Sequence, residues 1–518
     1  MPDAVTRESD TTRDDAGAAR LVVGLIVVLG IMLRLLGIAR ESPWYDEVLS
    51  LRALQADTLG AYWEQLAKED PAATLAPVYF TLEYLWAALV GADVLSVRLL
   101  SVALGTLMIP LLYAVGRKLA SPLAGCVASL CLSMSLVHIF YAQEIRMYAL
   151  AGVLVLLSVL TLLNALEKTQ RACAWWTIHA AVNGLMLWTH AFTVFLLAVE
   201  GVFLLLRAPL RLRQFAAWCG AQVLVAAPLA GWIALMSRKG ATEGAFWPPL
   251  PGLRDMANSF LVFAGGRFSN EDPTPYMGTH LSLDRHIMGL YFLVGAWMGL
   301  WGLHALARRK YDTQAGKRID VLLFLGLWLF VPPLALAVMS YVYRPCFMYR
   351  YVLYASLALY LIMGSAMASM RRPFLAGLII TLITIIYTHQ IIALPLPFRP
   401  DYRSAASIIE ASGTPLDHVI TFKEINALPF LFAADIPKAR HESIHGFREL
   451  CATVAAKHRR GWNVWVVMWR WDDTEAFEEY LNSKGFGFAD TKVGGMPRLR
   501  LYYVRGGTPP DGPVFWET

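Results

Sequence analysis

Charge is the scarcest property of this sequence. Only 16% of its 518 residues are Asp, Glu, Lys or Arg, whereas 57% are hydrophobic, and the mean hydropathy is +0.48. An ordinary soluble domain has about 25% charged and roughly 45–50% apolar residues. The composition therefore excludes a disordered chain and a wholly soluble enzyme.

Cysteine and nucleotide-binding motifs are also sparse. The six cysteines include no CxxC pair, so no zinc or redox framework is indicated. Cys346 and Cys451 could form a disulfide only if the fold brings them together. No GxGxxG follows a strand pattern, and there is neither a P-loop nor a long basic stripe, although the net charge is +6. Nucleotide binding and nucleic-acid binding therefore have no support.

The charged residues that are present are unevenly distributed. They account for 30 of the 124 residues in 395–518, but for only 46 of the 374 residues in 21–394. This distribution predicts a membrane body, residues 21–394, followed by a soluble domain, residues 395–518. The polar segment 1–20 is expected to be disordered.

Eleven apolar runs have about the length that a membrane-spanning helix needs. They are residues 21–39, 95–115, 124–140, 148–166, 175–189, 192–206, 215–236, 287–306, 321–340, 351–370 and 374–394. The first run lacks a compact cleavage site and is predicted to be an anchor rather than a removed signal peptide. The shorter run 78–90 is predicted to be an amphipathic helix in the membrane interface.

Lysine and arginine in alternate loops predict the orientation of these spans. Basic residues recur at 117–118, 168–171, 207–213, 308–318 and 371–372, and these loops are expected to face the cytoplasm together with the N-terminus. The loop 41–94, the turn 141–146 and the C-terminal domain are then external. One miscounted span would reverse the side of the C-terminal domain.

The pattern after residue 395 indicates a small α/β domain. We expect helices at 401–411, 447–457 and 474–484, and strands at 417–422, 462–469 and 499–504. The segment from His441 to His445 fits the H-E-x-x-H zinc pattern, which needs a helix. Pro437 and Gly446 flank it and no apolar helical period surrounds it, so we predict that it is not a metal site.

Two acids follow the first span directly, in Trp44-Tyr45-Asp46-Glu47. Paired carboxyl groups at a membrane edge suit a general base, because apolar surroundings and a second carboxylate both raise a carboxyl pKa. The structural alternative is a helix that begins at Pro43, with acids in its first turn.

Further polar residues fall at predicted external turns. Glu144 and Arg146 lie between two spans, His190 lies at another turn, and Arg344 and Arg350 flank a third turn that is rich in tyrosine. Polar groups at this depth are costly without partners, which makes them functional candidates, and arginine can bind phosphate with two parallel hydrogen bonds. The alternatives are an ordinary polar turn, a structural histidine, and arginines that extend to the interface.

In order and spacing, these motifs resemble the GT-C membrane glycosyltransferases, in the branch of the protein O-mannosyltransferases and the lipid A aminoarabinose transferase. The resemblance rests on segments 44–47, 97–101, 141–148, 188–190, 349–351 and 400–406. One departure is Leu75-Ala76-Pro77-Val78-Tyr79, where relatives often carry His-Pro-Pro before an aromatic residue.

The resemblance implies a polytopic α-helical fold of GT-C type with a small C-terminal α/β domain. It implies an enzyme that moves a sugar from a polyprenyl-phosphate carrier to a hydroxyl of a lipid, glycan or protein outside the membrane, with inversion. Asp46, with Glu47 beside it, would act as the base, and Glu144 would shape the sugar pocket across a shared external cavity. The donor phosphate would be bound by Arg146, Arg350, Arg344 and His190.

No cofactor and no metal are expected, although related oligosaccharyl enzymes use a divalent metal. The expected location is the bacterial plasma membrane. Two other functions remain open at this point. Glu200, an acid deep within a span, is compatible with a transporter or flippase of a lipid-linked sugar. The second is that of a non-catalytic relative whose C-terminal domain binds a glycan.

Overall fold

The computed structural model of the chain divides into two compact units. The helical unit comprises residues 1–36 and 50–393, and the α/β unit comprises residues 37–49 and 394–518. The described residues are 3–167, 171–206, 212–240, 248–264, 297, 300, 301, 313–392, 399–412, 418–434, 440–469, 472–493 and 499–506. Residues 37–49, which the sequence pattern placed with the membrane body, thus belong to the α/β unit.

The helical unit is built from fifteen described α-helices, of which α2 begins within residues 37–49. They are α1 Asp3–Leu35, α2 Tyr45–Ala53, α3 Leu59–Glu69, α4 Pro77–Val90, α5 Val94–Leu119, α6 Pro122–Met134, α7 Leu136–Ala142, α8 Tyr148–Leu166, α9 Ala172–Thr189, α10 Val194–Leu206, α11 Leu212–Arg238, α12 Leu253–Phe263, α13 Thr313–Val342, α14 Ala355–Ala368 and α15 Pro373–Ile392. Short 3-10 helices cover Pro71–Leu75, Ala191–Thr193 and Tyr349–Val352. Helix α1 includes part of the segment 1–20, for which the sequence predicted disorder.

Six helices in the described part of the chain are long and apolar enough to cross a bilayer, and α6 with α7 would make a seventh. This pair is bent by 65° at its break. Three shorter apolar helices, Pro77–Val90, Ala191–Leu206 and Ala355–Ala368, accompany them. The predicted run 287–306 lies almost entirely outside the described residues, and the count of eleven spans is not confirmed.

Small residues allow the central helices to approach closely. A Cβ atom on Gly116 of α5 would lie 2.7 Å from the Cα atom of Gly125 in α6. A Cβ atom on Gly364 of α14 would lie 2.1 Å from the carbonyl oxygen of Ala124. Both positions therefore exclude larger side chains. Within a bilayer the hydrophobic effect does not drive helices together, and close backbone packing of this kind stabilises their association instead.

In its described residues after 398, the α/β unit contains five strands and four helices. They are α16 Tyr402–Ser412, β1 His418–Phe422, α17 Glu424–Ala433, β2 His441–Ile444, α18 Phe447–Arg459, β3 Val464–Trp469, α19 Thr474–Ser483, β4 Phe488–Val493 and β5 Leu499–Val504. The strand order is β2-β1-β3-β5-β4, with β1 parallel to β2 and β3. Strand β5 pairs antiparallel with β3 and β4.

Both faces of this sheet are covered, which explains the continuous apolar sequence of β3. Val464 and Val466 pack with α18 and α19 on one face. Trp465 and Val467 pack with α16 and α17 on the other. Each helix and strand that the sequence pattern assigned in this unit coincides with an element of the structure. Strands β2 and β4 were missed because their short runs carry mixed polarity, and α17 was missed because Pro429 lies inside it.

Candidate active site

The turn between α7 and α8, residues 143–147, holds two of the predicted site residues in the helical unit. Glu144 and Arg146 are both buried there. The hydroxyl of Ser101 in α5 donates a hydrogen bond to the carbonyl of Glu144 (2.6 Å), and the backbone N–H of Arg146 donates to the same carbonyl (2.8 Å). Gln143 donates to the carbonyls of Arg34 and Leu36 at 2.8 and 2.9 Å. The turn is therefore fixed by α1 and α5.

Arg34 stabilises the break between α6 and α7, the helix that precedes this turn. Its guanidinium is fully buried and donates to the carbonyls of Leu132 and Ser133 at 3.3 Å each. These carbonyls end α6, where a cation compensates unpaired acceptors and the negative end of the helix dipole. Sequence reasoning missed Arg34, although an arginine within an apolar run was the available signal.

Arg146 forms an ion pair with Asp70, which the sequence analysis did not single out. The Nη2 atom of Arg146 lies 2.9 Å from Oδ2 of Asp70, and the side chains are 8% and 12% exposed. Asp70 also accepts a hydrogen bond from the backbone N–H of Ala73 (3.3 Å), at the start of the 3-10 helix. The ring of Phe80 lies 5.8 Å from the Arg146 guanidinium. These contacts orient Arg146.

His190 and Arg350 meet in one aromatic cluster. The His190 ring lies 5.8 Å from the ring of Tyr148 and 5.9 Å from the ring of Tyr351. The Arg350 guanidinium lies 5.6 Å from the Tyr351 ring and is 6% exposed. Tyr141 lies 4.8 Å from Tyr148 between ring centroids, which connects the cluster to the end of α7. The structure thus brings Glu144, Arg146, His190 and Arg350 to one end of the helical unit.

His190 is neutral at pH 7 in this setting. Burial, and after it repulsion from Arg350, lowers its pKa to about 4. Its Nδ1 atom has no hydrogen-bond partner among the described residues. His190 can therefore offer a hydrogen bond to a bound group, but not the positive charge that the sequence analysis assumed.

Glu83 in α4 supplies a further buried acid, within the apolar run 78–90. Its Oε2 atom accepts a hydrogen bond from the hydroxyl of Tyr62 (2.8 Å), and both residues are buried. Burial first, and the Glu83 charge second, raise the pKa of Tyr62. Tyr79, which lies beside Glu83, has its pKa raised by burial and then by the same carboxylate. Both tyrosines are therefore protonated, and the hydroxyl of Tyr62 already donates its hydrogen to Glu83.

Arg344 differs from Arg350 in its surroundings. It follows α13, is exposed, and lies 6.0 Å from the ring of Tyr343.

Asp46 and Glu47 begin α2 within the α/β unit. The Oε2 atom of Glu47 lies 2.5 Å from Nη1 of Arg399, and these side chains are 0% and 2% exposed. The same oxygen accepts a hydrogen bond from the backbone N–H of Trp44 (3.3 Å), as a helix-capping glutamate does. Glu41 accepts from the backbone N–H of Arg399 (2.9 Å). Asp46 is half-buried.

The segment 400–406 contacts the same part of the chain. The guanidinium of Arg403 donates to the carbonyl of Ala39 (2.8 Å), and its backbone N–H donates to the hydroxyl of Ser42 (3.2 Å). Ser42 in turn donates to Asp401 (3.4 Å). The two motifs that the sequence analysis quoted separately, at 44–47 and 400–406, therefore belong to one folded unit.

The H-E-x-x-H segment is not helical, as predicted. His441–Ile444 forms β2, and the Nε2 atom of His441 lies 2.9 Å from the hydroxyl of Thr421. Glu442 forms an ion pair with Lys457 (3.0 Å), and His445 is exposed. The two histidines therefore do not share a helix face.

Glu200 lies in a buried polar cluster between α8, α9, α10 and α11. Its carboxylate accepts hydrogen bonds from Ser158 (2.8 Å) and Asn183 (3.4 Å) and lies 3.4 Å from the His179 ring. Asn183 also donates to Gln222 (2.9 Å). These mutual contacts favour a role in helix packing over a transport site.

Replacing Glu200 with Ala is expected to lower the unfolding free energy by about 1–3 kcal/mol, because buried donors lose their acceptor. Glu200→Gln retains one acceptor oxygen and should cost less. Thermal unfolding of the purified full-length protein in a neutral detergent measures both changes. Equal unfolding midpoints for Glu200→Ala and the parent protein would contradict the packing role.

The chain is similar to known proteins in sequence over one segment and in structure over most of its length. Residues 74–234 match the family described as dolichyl-phosphate-mannose-protein mannosyltransferase. No curated protein matches the chain. Among solved structures, ArnT from Cupriavidus metallidurans bound to undecaprenyl phosphate is 12% identical with a TM-score of 0.53, covering 94% of this chain and 98% of ArnT. The oligosaccharyltransferase AglB from Archaeoglobus fulgidus, with an inhibitory peptide and a dolichol-phosphate, is 11% identical with a TM-score of 0.51, covering 96% of this chain and 75% of AglB.

At this identity the structural matches establish the fold, and the family match adds a sequence relationship over the segment that contains Glu83, Glu144, Arg146 and His190. The chain is therefore a multi-pass membrane protein with the GT-C glycosyltransferase fold, related through residues 74–234 to the dolichyl-phosphate-mannose-protein mannosyltransferases.

Proposed function

We propose that the protein is a glycosyltransferase that takes a sugar from a polyprenyl-phosphate carrier and transfers it, with inversion, to a hydroxyl of a lipid, glycan or protein. The observation that carries this proposal is the buried cluster of Glu144, Arg146, His190 and Arg350 at one end of the helical unit. It lies in a fold shared with ArnT, which has been solved with undecaprenyl phosphate.

In this proposal, cleavage of the sugar–phosphate bond leaves a phosphate that gains negative charge. Fixed positive charges in a site without water lower the barrier to that step. Arg146, held by Asp70, and Arg350, held among aromatic rings, are the cations for it. His190 is neutral and contributes a hydrogen bond.

Asp46 is the proposed base, which removes the proton of the acceptor hydroxyl as that oxygen attacks the anomeric carbon. Glu47 in the same helix is engaged with Arg399 and with the backbone of Trp44. We therefore assign Glu47 to the positioning of α2 and Asp46 to catalysis. We assign Glu144 to the sugar pocket.

The proposed location is the bacterial plasma membrane, with the N-terminus in the cytoplasm and the α/β unit outside. Arg117 and Lys118 end α5, and Arg371 and Arg372 precede α15. Positive residues at loop ends favour the cytoplasmic side. The site cluster lies at the other end of the same helices, which is the external side in this orientation.

Replacing Arg350 with Ala is expected to reduce transfer by about 10²–10³-fold, the usual effect of removing one group that stabilises developing charge. Carrier binding should weaken as well, because a phosphate contact acts in the ground state and the transition state. Steady-state transfer from a synthetic polyprenyl-phosphate sugar, together with carrier binding by calorimetry, measures both effects.

His190→Gln is the matched comparison, because it changes a neutral hydrogen-bonding side chain and should cost less than Arg350→Ala. Arg117 provides the control, because it is exposed at the other end of α5, and Arg117→Ala should leave transfer within about twofold. A normal rate for Arg350→Ala would contradict the proposed phosphate site.

A further inference from the structure

A cavity lies in the helical unit, far from the site cluster. It has a volume of about 1080 Å³ and lies among the end of α5, the beginning of α13, the end of α14 and the beginning of α15. Its lining combines cationic, aromatic and aliphatic side chains with three serines. The cationic and aromatic side chains include Lys118, Arg318, Arg371, Arg372, Trp297 and Trp301.

The cavity and the site cluster occupy opposite ends of the same helices. Ser101, which contacts Glu144, and Lys118, which lines the cavity, are both in α5. At 1.5 Å per residue they are about 25 Å apart along the helix axis. This distance approaches the thickness of the hydrocarbon core, about 30 Å. The cavity therefore faces the leaflet opposite the site cluster.

Positive charge dominates the lining. Four lining residues are cationic, and none of the lining residues that the structure describes is Asp or Glu. Lys118 also forms an ion pair with Glu167 (2.8 Å), whose side chain is 56% exposed. Arg371 and Arg372 are exposed. Such a cavity favours an anionic group, with the two adjacent arginines able to bind phosphate oxygens with paired hydrogen bonds.

The remaining lining suits a hydrocarbon chain. Leu375 and Ile379 of α15 line one side. Trp297 is fixed by a hydrogen bond from its Nε1 atom to the hydroxyl of Ser369 (2.9 Å). The Arg318 guanidinium lies 5.7 Å from the ring of Trp301. The volume exceeds what a free phosphate ion requires and lies near the upper end for small-molecule sites.

We propose that this cavity binds the headgroup phosphate of an anionic membrane lipid, with Arg371 and Arg372 on the phosphate and the beginning of the hydrocarbon chain against Trp297, Leu375 and Ile379. Basic pockets between membrane helices recognise anionic headgroups in this way. The site is independent of the sugar-transfer proposal, because it shares no lining residue with the Arg350 cluster.

The test compares lipid binding by the full-length protein in neutral detergent, with native mass spectrometry as the readout. Phosphatidylglycerol should bind, whereas phosphatidylcholine should not. The double variant Arg371→Ala/Arg372→Ala should bind phosphatidylglycerol about 30-fold more weakly, at the usual contribution of two basic side chains. Arg371→Lys/Arg372→Lys should retain more of the affinity, since it keeps the charge and loses only the paired geometry.

Arg117→Ala is the matched control, because Arg117 is exposed at the same end of α5 and does not line the cavity. It should bind phosphatidylglycerol within about twofold of the parent protein. Equal binding of the two lipids, or unchanged binding by the double Ala variant, would overturn the proposal. Displacement of the lipid by millimolar inorganic phosphate would show a free-anion site instead and would also overturn it.

Discussion

Replacing Asp46 with Asn is expected to reduce the rate of sugar transfer by about 10²–10⁴-fold, the usual contribution of a general base. Asn keeps the size of the side chain but cannot accept the proton of the acceptor hydroxyl. Binding of the polyprenyl-phosphate carrier should remain, since the proposed carrier contacts are Arg146 and Arg350. Single-turnover transfer and carrier binding measured on the same preparation separate the two effects.

Asp57→Asn is the matched control for this substitution. Asp57 is exposed and lies in the loop between α2 and α3, and its described contact uses the backbone carbonyl rather than the carboxylate. Transfer at the parent rate by Asp46→Asn would exclude Asp46 as the base. The same experiment addresses the two other functions, because flipping of a lipid-linked sugar and binding of a glycan do not require a base.

The sequence predicted the candidate residues better than it predicted their partners. Glu144, Arg146, His190 and Arg350 stand at ends of apolar runs, where a polar residue is conspicuous, and the fold gathers them. Asp70 pairs with a residue 76 positions away, and no local pattern encodes a contact of that separation. The same holds for Arg34, which pairs with carbonyls 98 and 99 positions away.

The division of the chain could not be predicted for a related reason. Composition distinguishes the apolar body from the charged C-terminal part, but residues 37–49 are a short stretch that mixes apolar positions with four charged ones and adjoins an apolar span, so composition does not assign them to either part. Their assignment to the α/β unit depends on long-range contacts such as Arg399 with Glu47 and Arg403 with Ala39. Periodicity reports local structure and burial and carries no information about such pairs.

Replacing Arg399 with Ala is expected to destabilise the α/β unit by about 3–5 kcal/mol, because the buried carboxylate of Glu47 then loses its cation. Glu47 lies in α2 next to Asp46, so the substitution should also reduce transfer at temperatures where the protein remains folded. The KM for the carrier should change little, since the proposed carrier contacts lie in the helical unit. Thermal unfolding followed by transfer kinetics at low temperature measures both effects.

Arg403→Ala is the comparison variant for Arg399→Ala, because it removes an exposed arginine instead of a buried one. Arg403 is exposed, and its guanidinium donates one hydrogen bond, to the carbonyl of Ala39, so its loss should cost about 0.5–1.5 kcal/mol.

Glu47→Gln separates the role of charge from that of capping, because the amide oxygen can still accept the Trp44 N–H while the ion pair with Arg399 is lost. If Arg399→Ala unfolded at the same temperature as Arg403→Ala, the buried pair would not hold α2, and the positioning role of Glu47 would be wrong. If Arg399→Ala were unstable but kept the parent turnover at low temperature, the pair would contribute to stability alone and Asp46 would be positioned by other contacts.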